Sequence, residues 1–367
     1  MKKIIKLDLP EKCRIIAVSD VHTSRDLLER MLKKANYKAG EDYLVIVGDI
    51  LEHWNNNINT LKYVKALCDE SDRAYCLLGN NDTFCSRMAF DYPYKRFSGK
   101  FYYSENGNEN AFLQMAKSVG YDHCTDENWL DIRKAVFDRY GRELEFLRDL
   151  PICLETEDHI FVHAGLENRP DWENTDDTFA ITVKWFLRRE NPTDKWLVVG
   201  HFPTYNYKRS GATCLPIIDS KKRIIDIDGG LSIKKACQMN FLIIHRDGDS
   251  YTHEIMWDTP YPVRRVREDF SCGLKPLYVD WSDQDMEILY EKAGFVKLRD
   301  NVSGAEGFLP RREIYEKDGR ISVYQFLSSF PEVKRGEDVS VCAEDNGMLL
   351  VITERGRVGW LPKDIII

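Results

Sequence analysis

The sequence has no Cys-x-x-Cys pair among its ten cysteines, which argues against a thiolate zinc site or a redox dithiol. It has no apolar run approaching the roughly 20 residues of a membrane span. Met1-Lys-Lys-Ile-Ile-Lys opens with basic residues, but the apolar stretch of a signal peptide does not follow. Basic charge is not in excess: the net charge is −8, which argues against a nucleic-acid-binding surface. At 367 residues the chain is too large to need disulfide staples. The expectation is a reduced, cytoplasmic protein with no nucleic-acid and no membrane partner.

What is there begins with an ordinary apolar content of 43%, enough for a sizeable core. Short apolar runs lie at 14–18, 43–47, 74–78, 160–162, 196–199, 223–227, 241–244 and 251–256. Their length and Val/Ile/Leu richness predict buried strands. Helical patterns at 27–34 and 59–68 lie between some of them. Such alternation predicts an α/β fold with a parallel or mixed sheet covered by helices. Ligands of such sheets bind beyond the carboxyl ends of the strands.

Residues 86–150 interrupt the alternation. The aromatic stretch 92–103 reads as a loop. A helix fits 128–147, with Trp129, Val136, Tyr140, Leu144 and Leu147 on one face. This helical insertion is either a substrate cap or plain scaffold. After Pro262 an internal repeat begins, and repeats mark architecture. Gly304-Ala-Glu-Gly-Phe308-Leu-Pro310-Arg311 recurs as Gly356-Arg-Val-Gly-Trp360-Leu-Pro362-Lys363. The repeat resembles the closing hairpin of SH3-like barrels. The expected domains are 1–258, carrying the insertion, and two small all-β modules at 262–316 and 317–367.

The chemistry sits where predicted strands end. Ser19-Asp20-Val21-His22 follows the first, and its carboxylate and imidazole can reach one cation. Gly48-Asp49 follows the second; glycine lets the backbone approach closely, and aspartate has two oxygens to share. Gly79-Asn80-Asn81-Asp82 follows the third and offers an amide oxygen. His163-Ala-Gly165 and Gly200-His201-Phe-Pro203 follow two later strands. Each motif alone is an ordinary turn or a structural histidine. Five strand ends carrying Asp/His, Asp, Asn, His and His are not something folding requires. Mixed oxygen and imidazole donors suit Mn²⁺, Fe²⁺ or Zn²⁺.

This ordered set resembles the calcineurin-like metallophosphoesterase superfamily. Within it, the set looks closest to the phosphoprotein phosphatases and the bacterial symmetrical diadenosine tetraphosphatases. The family pattern runs Asp-x-His, Gly-Asp-x-x-Asp-Arg, Gly-Asn-His-Glu/Asp, His-Ala/Gly-Gly and Gly-His, and the resemblance covers about 12–257. The stretches EFLRDLPICLETEDHIFVHAGL (145–166) and IDIDGG (225–230) share in it. The resemblance implies a four-layer α/β/β/α sandwich. It implies two divalent cations (Mn²⁺ or Fe²⁺, with Zn²⁺ or Mg²⁺ as alternatives): Asp20 and His22 on the first, Asp49 bridging, Asn80, His163 and His201 on the second. Cations roughly 3.5–4 Å apart would activate a bridging hydroxide as nucleophile and neutralise the phosphoryl oxygens.

Two positions depart from the pattern. Asn81 stands where the family has the histidine that serves as general acid. Glu52 matches that histidine's carboxylate partner, and His53 stands for the phosphate-gripping arginine. Asparagine delivers no proton, so either His53 substitutes, tuned by Glu52, or turnover favours good leaving groups. Arg188 and Arg189 follow a Trp-containing segment similar to one that carries a phosphate-gripping arginine in the family. Tyr205 is a candidate pocket residue by nearness to His201. The leading expectation is a phosphomonoesterase acting on a phosphoprotein or a small phosphorylated molecule. The alternatives are a dinucleoside polyphosphate hydrolase, and a degenerate phosphatase-fold binding protein that docks a peptide through its C-terminal modules.

Overall fold

The computed structural model describes residues 3–90, 110–123, 125, 127–207, 211–280, 285–292, 294–317, 319–323 and 325–367. The 92–103 loop expected from the sequence lies outside them. The chain divides into two compact units: 1–202, 216–233 and 239–258 form the first, and 203–215, 234–238 and 259–367 form the second. Two segments from inside the expected 1–258 domain therefore belong to the second unit.

In chain order the first unit holds β1 (Ile4–Lys6), β2 (Lys12–Val18), α1 (Arg25–Lys34), β3 (Tyr43–Ile46), α2 (Asn57–Glu70), β4 (Ala74–Cys76) and α3 (Asp82–Phe90). Next come α4 (Ala111–Ser118), α5 (Trp129–Asp149), β5 (Cys153–Glu155), β6 (His159–Val162), α6 (Asp177–Thr182) and β7 (Trp196–Val199). It closes with β8 (Ile217–Asp219), β9 (Ile224–Asp226), β10 (Met239–Asp247) and β11 (Ser250–Asp258). The strands form a sheet of order β11-β10-β2-β3-β4 and a second of order β1-β5-β6-β7-β9-β8.

The two sheets pack face to face. Ile15, Ala17, Val45, Leu242 and Ile244 from one meet Leu154, Phe161, Val198 and Ile225 from the other in one core. Their neighbours Ile16, Val18, Leu44 and Ile46 point the opposite way and are also buried. Burial on both faces is why these strands read as continuous apolar runs rather than alternating ones. α1 buries Leu27, Leu28, Met31 and Leu32, and Lys33 and Lys34 sit in its last turn, favourable against the helix dipole. The helix expected at 128–147 spans Trp129–Asp149 and buries the five predicted residues plus Ile132, with non-helical backbone at Tyr140. β2, β3 and β4 are parallel neighbours, and so are β6 and β7. Their carboxyl ends deliver the expected motifs.

The same sandwich holds a histidine pair away from those ends. His159 on β6 and His253 on β11 bring their Nε2 atoms to 2.9 Å, so one ring must donate and the other accept. Burial first, and His253 second, push the His159 pKa down to about 3. An unfolded histidine titrates near 6.5, so below that pH the unfolded chain binds more protons and stability falls as pH falls. The expected loss is about 1 kcal/mol per pH unit between pH 6 and 4. His159→Gln keeps a hydrogen-bonding side chain and should flatten that limb in denaturant melts. An unchanged slope would remove the pair from the acid response.

The second unit has two cores. One gathers Leu277, Val279, Met286, Val296, Leu298, Leu309, Ile314 and Val323. The other gathers Val266, Val333, Val339, Leu349, Val351, Leu361 and Ile365. They are interleaved in sequence rather than split between 316 and 317. Val263–Arg265 pairs with Asp338–Asp345 in the second core's sheet, while Arg320–Val323 pairs with Ile314–Lys317. The repeat recurs as structure: Glu306–Pro310 and Val358–Pro362 each close an antiparallel pair and lead into a 3-10 turn.

Candidate active site

Asp20 and His22 follow β2, Asp49 follows β3, Asn80 follows β4, His163 follows β6 and His201 follows β7. The strands come from both sheets, yet these side chains converge. Ligand atoms of Asp20, His22 and Asp49 all lie within 4.8 Å of one another, as do those of Asp49, His163 and His201. Asp49 belongs to both groups. The Asn80 amide oxygen lies 3.1 Å from His163 Nε2 and 2.8 Å from His201 Nδ1. All six predicted ligands are thus together.

Close approach of the loops needs small residues. Gly48 has φ +83°, and a Cβ there would fall 2.7 Å from His163 Nδ1. A Cβ on Gly200 would fall 2.3 Å from Asp20 Oδ2. The clustered residues themselves carry strain: Asp20, His22, Asp49 and His201 have φ of 51°, 40°, 52° and 68°. Left-handed backbone at non-glycine residues costs of order 1–3 kcal/mol each and clusters where function demands it. Backbone bonds tie the loops across the strand ends. Asp20 N donates to Gly48 O, and His22 N to Asp49 O. Gly200 N donates to His163 O. His201 N donates to Asp20 Oδ2 at 2.9 Å.

Ring orientation is fixed as well. His22 Nδ1 lies 3.1 Å from Leu51 O and His163 Nδ1 lies 2.9 Å from Val47 O. A donated Nδ1–H leaves each Nε2 lone pair facing inward. Those Nε2 atoms stand 3.8 and 3.4 Å from Asp49 Oδ2. His201 Nε2 is buried with no hydrogen-bond partner. The donor set is carboxylate oxygen, imidazole nitrogen and amide oxygen. Several acceptors crowd the Asn80 oxygen, including Ile181 O at 3.2 Å. This chemistry fits divalent cations.

Proton affinities follow the crowding. Burial lowers the His163 pKa, but Asp49 and Asp20 outweigh it and raise it to about 10. Burial raises the Asp49 pKa, but His163 and His22 outweigh it and hold it well below the usual carboxylate range. Burial, with Asp228 next, pushes Asp20 upward. Burial brings His22 to about 4, and burial with His163 brings His201 to about 4.

The remaining predicted residues are placed differently. Asn81 donates from its backbone N to Asp49 Oδ1 (2.8 Å) and from Nδ2 to Asp49 Oδ2 (2.6 Å). It clamps the shared carboxylate. His53 meets the His22 ring edge-on at 4.7 Å. Burial lowers its pKa, with Asp49 acting the other way. Glu52 accepts from Ala111 N at 3.0 Å, and burial raises it to about 8. Asp49 is the charged group that shifts His53, and Glu52 is bonded to the start of α4. Arg188 is exposed and stacks on Trp185 at 3.8 Å, and Trp185 packs on Phe202 at 4.4 Å. Arg189 is exposed, 5.5 Å from the Phe179 ring. Tyr205 is buried in the second unit, edge-on to Tyr278 at 4.5 Å; nearness in sequence to His201 was its only warrant.

Sequence reasoning gave Asp82 no role. Its Oδ2 accepts from Asp49 N (2.9 Å) and Gly79 N (3.0 Å), and its Oδ1 from Ile50 N (3.0 Å) and Leu51 N (3.2 Å). One fully buried carboxylate thereby binds the β3 loop to the β4 loop. The signal was present as an acidic residue opening α3, where carboxylates commonly cap backbone N–H groups. Asp82→Ala strands four buried donors and should cost on the order of 3 kcal/mol or more in denaturant midpoint measurements. A loss under about 1 kcal/mol would mean the loops hold themselves.

A profile of the calcineurin-like phosphoesterase family matches residues 13–227. The chain is 28% identical over 156 residues to a protein named symmetrical bis(5'-nucleosyl)-tetraphosphatase from Janthinobacterium sp. (strain Marseille), covering 42% of this chain and 44% of that one. It is 37% identical over 160 residues to one so named from Glaesserella parasuis serovar 5, covering 42% and 45%. The chain thus spans less than half the length of these relatives. Among solved structures, a protein serine/threonine phosphatase from Saccharomyces cerevisiae overlays with TM-score 0.40 at 14% identity, covering 71% of this chain and 85% of that one. Among the described residues no helix is long and apolar enough to cross a membrane.

Proposed function

This chain belongs to the calcineurin-like phosphoesterase family, and we propose that within it the protein is a two-metal hydrolase of phosphate bonds whose leaving group departs without a proton. Asp20, His22, Asp49, Asn80, His163 and His201 would hold the cations. The observation that carries this reading is Asp49, shared by both donor groups and faced by the Nε2 atoms of His22 and His163. Cations bound there would supply a water of lowered pKa and positive charge opposite the phosphoryl oxygens. The mixed donors favour Mn²⁺ or Fe²⁺ over Mg²⁺.

The chain's own part is to orient and to exclude. His22 and His163 are locked by backbone carbonyls, and Asn81 holds both oxygens of Asp49. Asn81 has no proton to give, and burial lowers the His53 pKa, with Asp49 acting the other way. Both support aryl phosphates and phosphoanhydrides as better substrates than alkyl phosphomonoesters. That feature, with the names of the relatives, favours a second and narrower reading: dinucleoside polyphosphate hydrolysis. A phosphoprotein or small phosphomonoester remains the broader substrate class. The reading also carries a cytoplasmic location, and SH3-like character with a peptide partner for the C-terminal modules.

The test is turnover of p-nitrophenyl phosphate, diadenosine tetraphosphate, a phosphoserine peptide and glycerol phosphate by metal-stripped protein. Activity should be absent after chelation and return with manganese. His53→Ala should spare aryl and anhydride turnover within about threefold, far from the 10²–10⁴-fold worth of a general acid. A selective loss on glycerol phosphate would instead make His53 the acid. Metal-loaded protein inactive on every substrate would support the binding-protein reading.

A further inference from the structure

The second unit holds a half-open cavity of about 640 Å³, within the roughly 300–1,000 Å³ of small-molecule sites. Its walls come from the two copies of the internal repeat. In the first copy Val296, Leu298 and Leu309 point into one core, so Phe295, Phe308 and Pro310 face the other way. In the second copy Leu349, Val351 and Leu361 point into the other core, leaving Met348, Leu350 and Trp360 opposite. All six of these outward residues line the cavity. A strand covering a core on one face ordinarily turns polar residues outward. In the first copy Lys297, Arg299 and Glu306 share that outward face as ion pairs, but the part of each copy that lines the cavity is apolar and aromatic. Phe308 and Trp360 occupy equivalent places in the repeat, at its Gly-aromatic-Leu-Pro core.

Ordinary packing accounts for Leu350, which is buried, but not for the two open rings. Phe295 stays 45% exposed and Phe308 38% exposed, so their rings are only half withdrawn from water. Tyr205 and Phe330 add two further rings to the walls. Charge at the rim is largely cancelled: Arg312 pairs with Asp345 at 3.3 Å and Glu344 with Lys363 at 2.6 Å. Lys235, Glu313 and Asn346 also line the cavity. Aromatic walls reward a flat ring by offset or edge-on stacking. A balanced rim with donors and acceptors rewards edge heteroatoms but no net charge.

We infer that this cavity is a binding site for an uncharged, planar heteroaromatic small molecule, held between the aromatic faces of the two repeats. The inference does not rest on the phosphoesterase reading.

The experiment titrates full-length protein with adenosine, adenosine 5'-monophosphate and cyclohexanol, by calorimetry and saturation-transfer NMR. Asp49→Asn protein is run in parallel to separate any binding at the strand-end site. Adenosine should bind one per chain, equally in wild type and Asp49→Asn, and at least tenfold more tightly than cyclohexanol. In the Asp49→Asn protein the monophosphate should bind more weakly than adenosine. Phe308→Ala should weaken adenosine at least tenfold while leaving p-nitrophenyl phosphate turnover and melting temperature unchanged. Should Phe308→Ala fail to fold, Phe295→Ser carries the same expectation from the other exposed ring, and Trp360→Phe should retain binding. Three results would overturn the site: adenosine failing to bind, cyclohexanol binding as well as adenosine, or adenosine binding lost in Asp49→Asn and kept in Phe308→Ala.

Discussion

Asp49→Asn is expected to cut manganese-dependent turnover of p-nitrophenyl phosphate by about a thousandfold or more, roughly 4 kcal/mol of transition-state stabilisation. Asparagine matches aspartate in size, so the β3 loop should keep its bonds to Asp82, which run through backbone N–H groups. What is lost is the negative charge between His22 and His163. Because Asp49 is the single residue common to both donor groups, its loss would weaken both proposed cation positions at once. Metal content measured beside turnover separates weakened binding from weakened chemistry. Full activity in Asp49→Asn protein would dismantle the two-metal proposal, whatever the other ligands do.

The second large effect is a gain. Asn81→His should raise turnover on alkyl phosphates by about 10²-fold, within the range a positioned general acid supplies. Aryl phosphates and phosphoanhydrides should change little, because their leaving groups are stable as anions. The measured quantity is the ratio of the two rates. Asn81 also clamps Asp49 through its side chain at 2.6 Å, and imidazole removes that bond. The backbone N–H of residue 81, 2.8 Å from Asp49 Oδ1, remains. A uniform loss on all substrates would show that the clamp matters more than the missing acid. An unchanged ratio without loss would mean that residue 81 does not reach the leaving group.

The six clustered side chains were legible because each is a local event: an apolar strand, often a glycine, then a donor within a few residues. Strand ends are readable from periodicity and punctuation, and the carboxyl ends of parallel strands lie on one edge. The helix at 128–147 was legible for a similar reason, since one-sided apolar spacing names both its extent and its buried face. Partners across the chain were not legible. Asp82 meets Ile50 and Leu51 only because β3 and β4 pair in parallel with one register. His159 meets His253, 94 residues on, only because the two sheets stack.

The repeat marks the border between the two kinds of knowledge. Gly-Phe308-Leu-Pro and Gly-Trp360-Leu-Pro were plain in the sequence, while the core-facing residues Leu309 and Leu361 were identified in the structure. That Val263–Arg265 leaves its sequence neighbours for the strand at Asp338–Asp345 was not. Nor was it visible that the outward rings of both copies line one cavity. The amino-acid order by itself determined the strands, the donor side chain at each end and the repeated motif, because hydrophobic period and backbone freedom act over a few residues. Tertiary structure alone decided which carboxylate belongs to both donor groups, which asparagine clamps it and which rings line one cavity. Those depend on strand register and sheet stacking, where displacing a strand by a single residue turns every side chain to the opposite face.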